Sequence, residues 1–525
     1  MKKFKLILLF TIPLIDLFCQ SDTFAIRFSK LIKSENLKKN LSVIASDEYE
    51  GRETGMKGQK MAAEYISKQF KSFGIPPLKS GYYQPFNVVS HKPQQVGISV
   101  NGKKFLSTID YYSPSSFVKD SSFSIKEITF AGYGINSNQY NDYSFQEKAT
   151  VVMISDGEPF SEKGISFISN SKEPSDWSKV RRKKISEARK SGVKILIIVE
   201  KDIQKSLEEN AHRIYYSRMT LEEEFNKDSN PADIMLIHIS TGMADQILKS
   251  GNKNFQQLIN EINKTGKPLS TKIKTDINLN VKQTHEVLPT ENVLGFIEGS
   301  DLKSEVLVVT AHYDHIGKED GKVYNGADDD GSGTVGVIEL ANAFMQAKKQ
   351  GKGPRRSILF MTVAGEEKGL LGSDYYTRHP IFELKNTIAN LNIDMIGRID
   401  KEHEGNPNYI YIIGSNMLSK ELHQVNEECN TKYVNLKLDY TYNKEDDPNR
   451  YYYRSDHYNF AKNNIPVIFY FNGVHEDYHQ ETDEVEKINF NKMEKITRLI
   501  FFTAWELANR NDRIKVDSDK IKEKK

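Results

Sequence analysis

Five apolar runs of strand length follow one another after residue 285: "EVLVVTAH", "SILFMTVAG", "IANLNID", "YIYIIG" and "IPVIFYF", with helix-like segments such as "GTVGVIELANAFMQAKKQGKG" between them. Runs this uniformly apolar are buried on both faces. When such strands alternate with helices, the economical arrangement is an α/β fold, a mostly parallel mixed sheet with helices on both faces. The same architecture says where chemistry belongs, because ligands of open α/β sheets sit at the carboxyl ends of the strands.

The ionisable residues fall at those ends. His312 and Asp314 follow the first run, and Asp328, Asp329 and Asp330 precede the helix opened by "GSGT". Glu366 and Glu367 follow "SILFMTVAG", Asp394 ends "IANLNID", and His479 comes some way after "IPVIFYF". Taken singly, each is unremarkable. "GEE" is commonly an acidic first turn of a helix, "DDDG" a turn or calcium-type loop, and His315 in "HYDH" reads as a local polar contact. Taken together, imidazoles and carboxylates brought to one edge from five loops suit a borderline metal such as Zn²⁺, and a metal offsets the repulsion of so much negative charge.

The segments "AHYDHIG", "NGADDDGSGT", "AGEEKGLLGS", "NIDMIGR", "RSDHYNFAKNNIPVIFYF" and "DYHQETDE" resemble successive motifs of the di-zinc metallopeptidase family that includes bacterial leucyl aminopeptidases and glutamate carboxypeptidase II. The resemblance implies two Zn²⁺ bridged by Asp329, with His312 and Asp394 completing one ion's protein shell and Glu367 and His479 the other's. It implies Glu366 as general base, Asp314 as the residue orienting the first histidine, and Tyr478 and Arg454 as contacts to substrate or tetrahedral intermediate. A cis peptide between Asp329 and Asp330 is part of the same expectation. The implied activity is removal of amino-terminal residues from peptides. A carboxypeptidase or glutaminyl cyclase on the same fold stays open, since metal ligands alone do not choose, as does a non-catalytic receptor, for which lost ligands would be expected.

The rest of the chain frames that catalytic part, residues 286–510. Its 525 residues exceed one typical core. Residues 26–90 contain "EGRETG" and a helix in which Met61, Ala62, Tyr65, Ile66, Phe70 and Phe73 recur at helical spacing before a stop at Gly74 and Pro76. The helix with "EGRETG" resembles the N-terminal part of that family's peptidase domain. Residues 91–285 switch to short strands such as "ATVVMISDG" and "KILIIVE", and "FAGYGI" and "NDYSF" among them resemble an inserted, β-rich α/β protease-associated domain; its basic helix "SKVRRKKISEARKSG" reads as a solvated face. "DDPNRYYYRSDH" offers either aromatic wall to a pocket or simple loop packing. With Lys+Arg 73 against Asp+Glu 71, the formal charge of +2 gives no reason to propose nucleic acid as a partner; peptides are the expected one, and oligomeric state is left open. The first residues, basic and then apolar over a run too short to span a bilayer, read as a signal peptide, 1–21, leaving no stable membrane span after its removal. Export is therefore expected. Lipid anchoring through Cys19 is less favoured because Phe18 stands where a small residue should. Loss of Cys19 leaves Cys429 alone and no internal disulfide. Residues 511–525 read as a charged tail.

Overall fold

The structure, a computed structural model, describes residues 23–517 apart from 93–94, 115–119, 145–148, 211–213, 215–217 and 228–233. The expected signal peptide with Cys19, and residues 518–525 of the tail, lie outside the described residues. The chain divides into two compact units. One comprises the described residues up to Val88 together with those from Leu288 onward; the other spans Val89–Val287. Among the described residues, no helix is long and apolar enough to cross a membrane.

In the larger unit the apolar runs become strands. In chain order they are β1 (Tyr83–His91), β2 (His285–Ile297), β3 (Leu302–His312), β4 (Arg356–Val363), β5 (Thr387–Ile393), β6 (Tyr409–Ile413), β7 (Lys437–Asp439) and β8 (Val467–Phe471). They lie in the order β1-β2-β4-β3-β5-β8-β6-β7. The centre is parallel, with β3 between β4 and β5, and β8 beside β5. Antiparallel pairs of β2 with β4 and β6 with β8 flank it. This is the mixed, mostly parallel α/β sheet expected.

Its faces are covered by helices, as the continuous burial of β4, β5 and β8 requires. On one face Phe344 of α3 (Gly333–Lys349) meets Phe360 of β4 and Phe501 of α7 (Phe490–Asn509). On the other, Val308, Met361 and Val467 share a core with Tyr376 of α4 (Leu371–Arg378) and Phe460 of α6 (His457–Ala461). Helices α1 (Ser34–Ile44), α2 (Lys57–Phe73) and α5 (Lys420–Cys429) also belong to this unit. Helix α2 buries Ala62, Ile66 and Phe70 and ends at Gly74, whose left-handed φ of 82° closes it.

The smaller unit carries its own sheet. Ser121–Ala131, Val151–Ser155, Ile195–Val199 and Met235–Ile239 run parallel, and Ser270–Lys282 and Gln95–Val100 continue the sheet antiparallel. Its "basic helix", Arg181–Lys190, departs from a purely solvated face. Lys184 is buried, its ammonium donating to the carbonyls of Ser155 and Gly157, because a long aliphatic stem packs while the head finds acceptors.

Candidate metal centre

Each parallel strand ends at one edge and delivers a side chain there. His312 is the last residue of β3, Glu366 and Glu367 follow β4, and Asp394 follows β5. The acidic triplet sits in the tight turn Ala327–Ser332 leading into α3, where the Asp329–Asp330 peptide is cis. His479 reaches the edge from the loop after β8 with a left-handed φ of 57°.

Two groups of potential metal donors form around Asp329. His312, Asp329 and Asp394 make one; His315, Asp329 and Glu367 make another. His312 Nε2 lies 3.2 Å from Asp329 Oδ1 and 3.6 Å from Asp394 Oδ1. On the other side His479 Nε2 lies 3.0 Å from Asp329 Oδ2 and 3.3 Å from Glu367 Oε2. His315 is fully buried, with Nδ1 2.8 Å from Glu367 Oε1, so the residue read as a mere local contact stands inside the cluster. Glu366 belongs to neither group, its carboxylate 3.9 Å from His312 Nε2.

The surroundings fix these groups by hydrogen bonds. The three aspartates of "DDD" diverge: Asp328 accepts from Gly397 N at 2.6 Å, and Asp330 accepts from Gly333, Met395 and His312 backbone N–H, which leaves Asp329 to face the cluster. Asp483 accepts from the N–H groups of Asp328 and Asp329, and Ser455 donates to Asp394 Oδ2 at 2.6 Å. Neither residue was singled out in the sequence. Asp314 behaves differently from its expected role. Its backbone carbonyl, 3.0 Å away, takes the proton of His312 Nδ1, while its carboxylate accepts from Thr54 and from Glu366 N. The histidine is thus held by main chain, with Nε2 free to face the cluster, and the Asp314 side chain holds the Glu366 loop instead.

Burial pushes the Glu366 carboxyl well above its usual range; His312 pulls it down, while Glu367 and Asp394 push it further up. Burial acts the same way on Asp329, but hydrogen bonds to His312 and His479 outweigh it and hold that carboxylate well below normal. The price of His479's burial is likewise exceeded by Glu367 and Asp329, which raise its imidazole to about 10. Among the described residues, the ion pairs of Asp329, Glu366, Glu367 and Asp394 are with histidines alone. Glu367 Oε1 and both ring nitrogens of His315 are buried without a hydrogen bond. Donors left over, carboxylates without a side-chain cation and an N/O ligand set together fit a zinc centre.

Tyr478 and Arg454 stand beside it. The Tyr478 ring stacks on His479 with centroids 3.9 Å apart, and Arg454 donates to its hydroxyl at 3.4 Å. A pocket bounded by Glu366, Asp394, Arg454, Tyr478 and Phe471 opens here. Of the tyrosine triplet, Tyr451 lines that pocket, Tyr452 is buried in the core and Tyr453 is exposed, so both readings of the stretch hold for different residues.

Known proteins resemble this chain in the same places. A probable leucine aminopeptidase from Trichophyton verrucosum is 34% identical over 214 residues, 39% of this chain and 55% of that protein. An aminopeptidase of Bacillus subtilis is 34% identical over 110 residues, 21% of this chain and 22% of its own length. The chain thus spans about half the length of the leucine aminopeptidases it matches. In fold it resembles the solved aminopeptidase of Aneurinibacillus sp. strain AM-1, with TM-score 0.54, 19% identity and coverage of 94% and 98% of the two chains. A zinc aminopeptidase from Bacillus subtilis follows with TM-score 0.50, 18% identity and coverage of 92% and 98%. Residues 292–504, which hold every converging side chain from His312 to His479, match the model of Peptidase family M28.

Proposed function

We propose that this chain is an exported zinc-dependent aminopeptidase, a metallopeptidase hydrolase that removes amino-terminal residues from peptides. The observation that carries the reading is the placement of Asp329 between two donor groups, with Glu366 beside them and outside both. In this reading Asp329, His312 and Asp394 would hold one zinc ion, and Asp329 with Glu367 and His479 would hold a second. Bound zinc supplies Lewis acidity toward a water and toward the scissile carbonyl.

The protein's own groups do the remainder. Glu366, beside both donor groups and part of neither, takes a proton from the water and gives it to the leaving amine. Asp314 fixes the Glu366 backbone, and the Asp314 carbonyl fixes the ring of His312. Tyr478 and Arg454 border the pocket as donors toward the substrate carbonyl. The smaller unit is read as a protease-associated domain from its sequence resemblance, and export rests on residues 1–21.

Metal analysis combined with a panel of amino-terminal, carboxyl-terminal and glutaminyl substrates tests the assignment. Zinc with turnover of aminoacyl substrates supports it. Zinc-dependent turnover confined to carboxyl-terminal or glutaminyl substrates would overturn the aminopeptidase reading and keep the metal site.

A further inference from the structure

Ahead of α2 the backbone does something costly. Glu50, Gly51 and Arg52 adopt left-handed φ values of 51°, 64° and 53° in succession. For the two residues that carry a side chain this conformation is unfavourable, and such strain persists where surrounding contacts over-determine it. Gly51 is needed for closeness, since a Cβ there would run into the carbonyls of Gly317 and Tyr324. The turn drives a fully buried arginine into the protein.

Arg52 ends against backbone carbonyls only. Its Nε donates to Tyr313 O at 2.8 Å, Nη1 to Ile44 O and Asn325 O at 2.7 Å each, and Nη2 to Gly326 O at 2.9 Å. Tyr313 directly follows His312, while Asn325 and Gly326 lead into the turn that carries Asp329. The main chain adds to this grip: Arg52 O accepts from His315 N at 3.3 Å, Glu53 bridges to His315, and Thr54 donates to Asp314 Oδ2 at 2.7 Å. Residues 313–315 are therefore held on both sides by residues 52–54.

We propose that Arg52 is the positioning residue of the metal centre, its rigid guanidinium fork fixing the loop that presents His312 relative to the loop that presents Asp329. The proposal rests on the zinc reading of the site given above. A planar fork with five N–H groups is what four carbonyls from three segments require; a lysine ammonium has three donors and no fixed fork. The buried cation also sits among Asp314, Asp483, Asp329 and Asp330, and so offsets part of the repulsion of the acidic edge without occupying a donor atom. Nothing in "EGRETG" as a string distinguishes such an arginine from a solvated one.

The test compares two buried arginines. Arg356, at the start of β4 and so at the opposite end of that strand from Glu366, donates to the carbonyls of Leu507, Arg510 and Asn511. Zinc affinity of the metal-free proteins is measured by competition with a chelator for wild type, Arg52→Lys and Arg356→Lys, together with the absorption spectrum after loading with Co²⁺. Arg52→Lys is expected to lose about 10- to 100-fold in zinc affinity and to alter the cobalt spectrum, as outer partners of metal ligands do. Arg356→Lys is expected to lower the melting temperature and keep wild-type affinity and spectrum. Wild-type zinc affinity in Arg52→Lys, or an equal loss in both variants, overturns the proposal.

Hydrogen exchange on the wild type provides an arm that needs no variant. With zinc removed, the amide of His315, which donates to Arg52 O, should stay protected; exchange at the rate of free loops also overturns the proposal. A wild type that binds no zinc overturns the proposed function and this proposal with it, whereas loss of the contrast between the two arginines overturns this proposal alone.

Discussion

Both units place acid at the carboxyl ends of parallel strands, but they resolve it differently. In the smaller unit Asp156 follows Val151–Ser155 and Glu200 follows Ile195–Val199, with His238 on the neighbouring strand. Arg181 reaches Glu200 at 3.2 Å and Asp156 at 3.4 Å, and His238 Nδ1 lies 2.6 Å from Glu200. In the larger unit Asp329, Glu366, Glu367 and Asp394 gather with histidines and no lysine or arginine pairs with them among the described residues. The residue types and strand positions are alike. What separates a closed ion-pair network from the proposed metal centre is whether the fold places a lysine or arginine in direct contact with the carboxylates. Helix α3 of the larger unit adds a third outcome: buried Glu339 accepts from the amides of Asn36 and Asn40, and burial raises its carboxyl to about 7 despite them.

Four substitutions put pressure on this contrast. Asp329→Ala should have the largest effect, removing bound zinc and reducing peptide hydrolysis to background, as metal content and turnover measured on one sample would reveal. Glu366→Gln should keep zinc and lose about 10²- to 10⁴-fold in kcat, the contribution of a positioned acid/base. Near-native turnover with zinc bound would remove Glu366 from the mechanism. In the smaller unit Glu200→Gln leaves Arg181 and His238 with a weakened partner, so denaturant unfolding should show a loss of about 1–3 kcal/mol. Zinc content and kcat should not move, and a drop in either would break the distinction between the two edges. Glu339→Gln is the mildest. Because the folded protein holds the Glu339 proton more tightly than the unfolded chain, stability should fall as pH rises from 4.5 to about 7 and level off above. That slope cannot exceed about 1.4 kcal/mol per pH unit for one proton. Thermal unfolding across this window should show it in wild type and lose this component in the variant.

The sheet was legible because β3, β4, β5 and β8 each carry a mostly apolar, buried run, and the stops at their ends displayed His312, Glu366, Glu367 and Asp394 one after another. Convergence of His479 was a matter of resemblance, since a loop after β8 has no periodicity to read. His315 was passed over because a string cannot say which of two nearby histidines is turned toward Glu367. Asp314 was expected to orient the first histidine, and a string does not show that its backbone carbonyl rather than its carboxylate lies against the His312 ring. Lys184 and Arg52 were invisible for one reason: charge counts as exposure in a pattern, and only three-dimensional packing shows carbonyls waiting for a buried cation.

The sequence distances spanned by Arg52 carry a consequence for synthesis. Its contacts with Tyr313, Asn325 and Gly326 close loops of 261, 273 and 274 residues, and Val89–Val287 lies wholly within them. A chain emerging from the ribosome amino end first completes that intervening unit before Tyr313 exists, and domains fold as units when they can. Until then the arginine turn has no carbonyls to grip, and neither donor group around Asp329 has been made. Under the proposed function, ion capture therefore belongs to the last stage of maturation, after the long excursion has been packed away, so that the half-made chain does not yet present an assembled zinc trap.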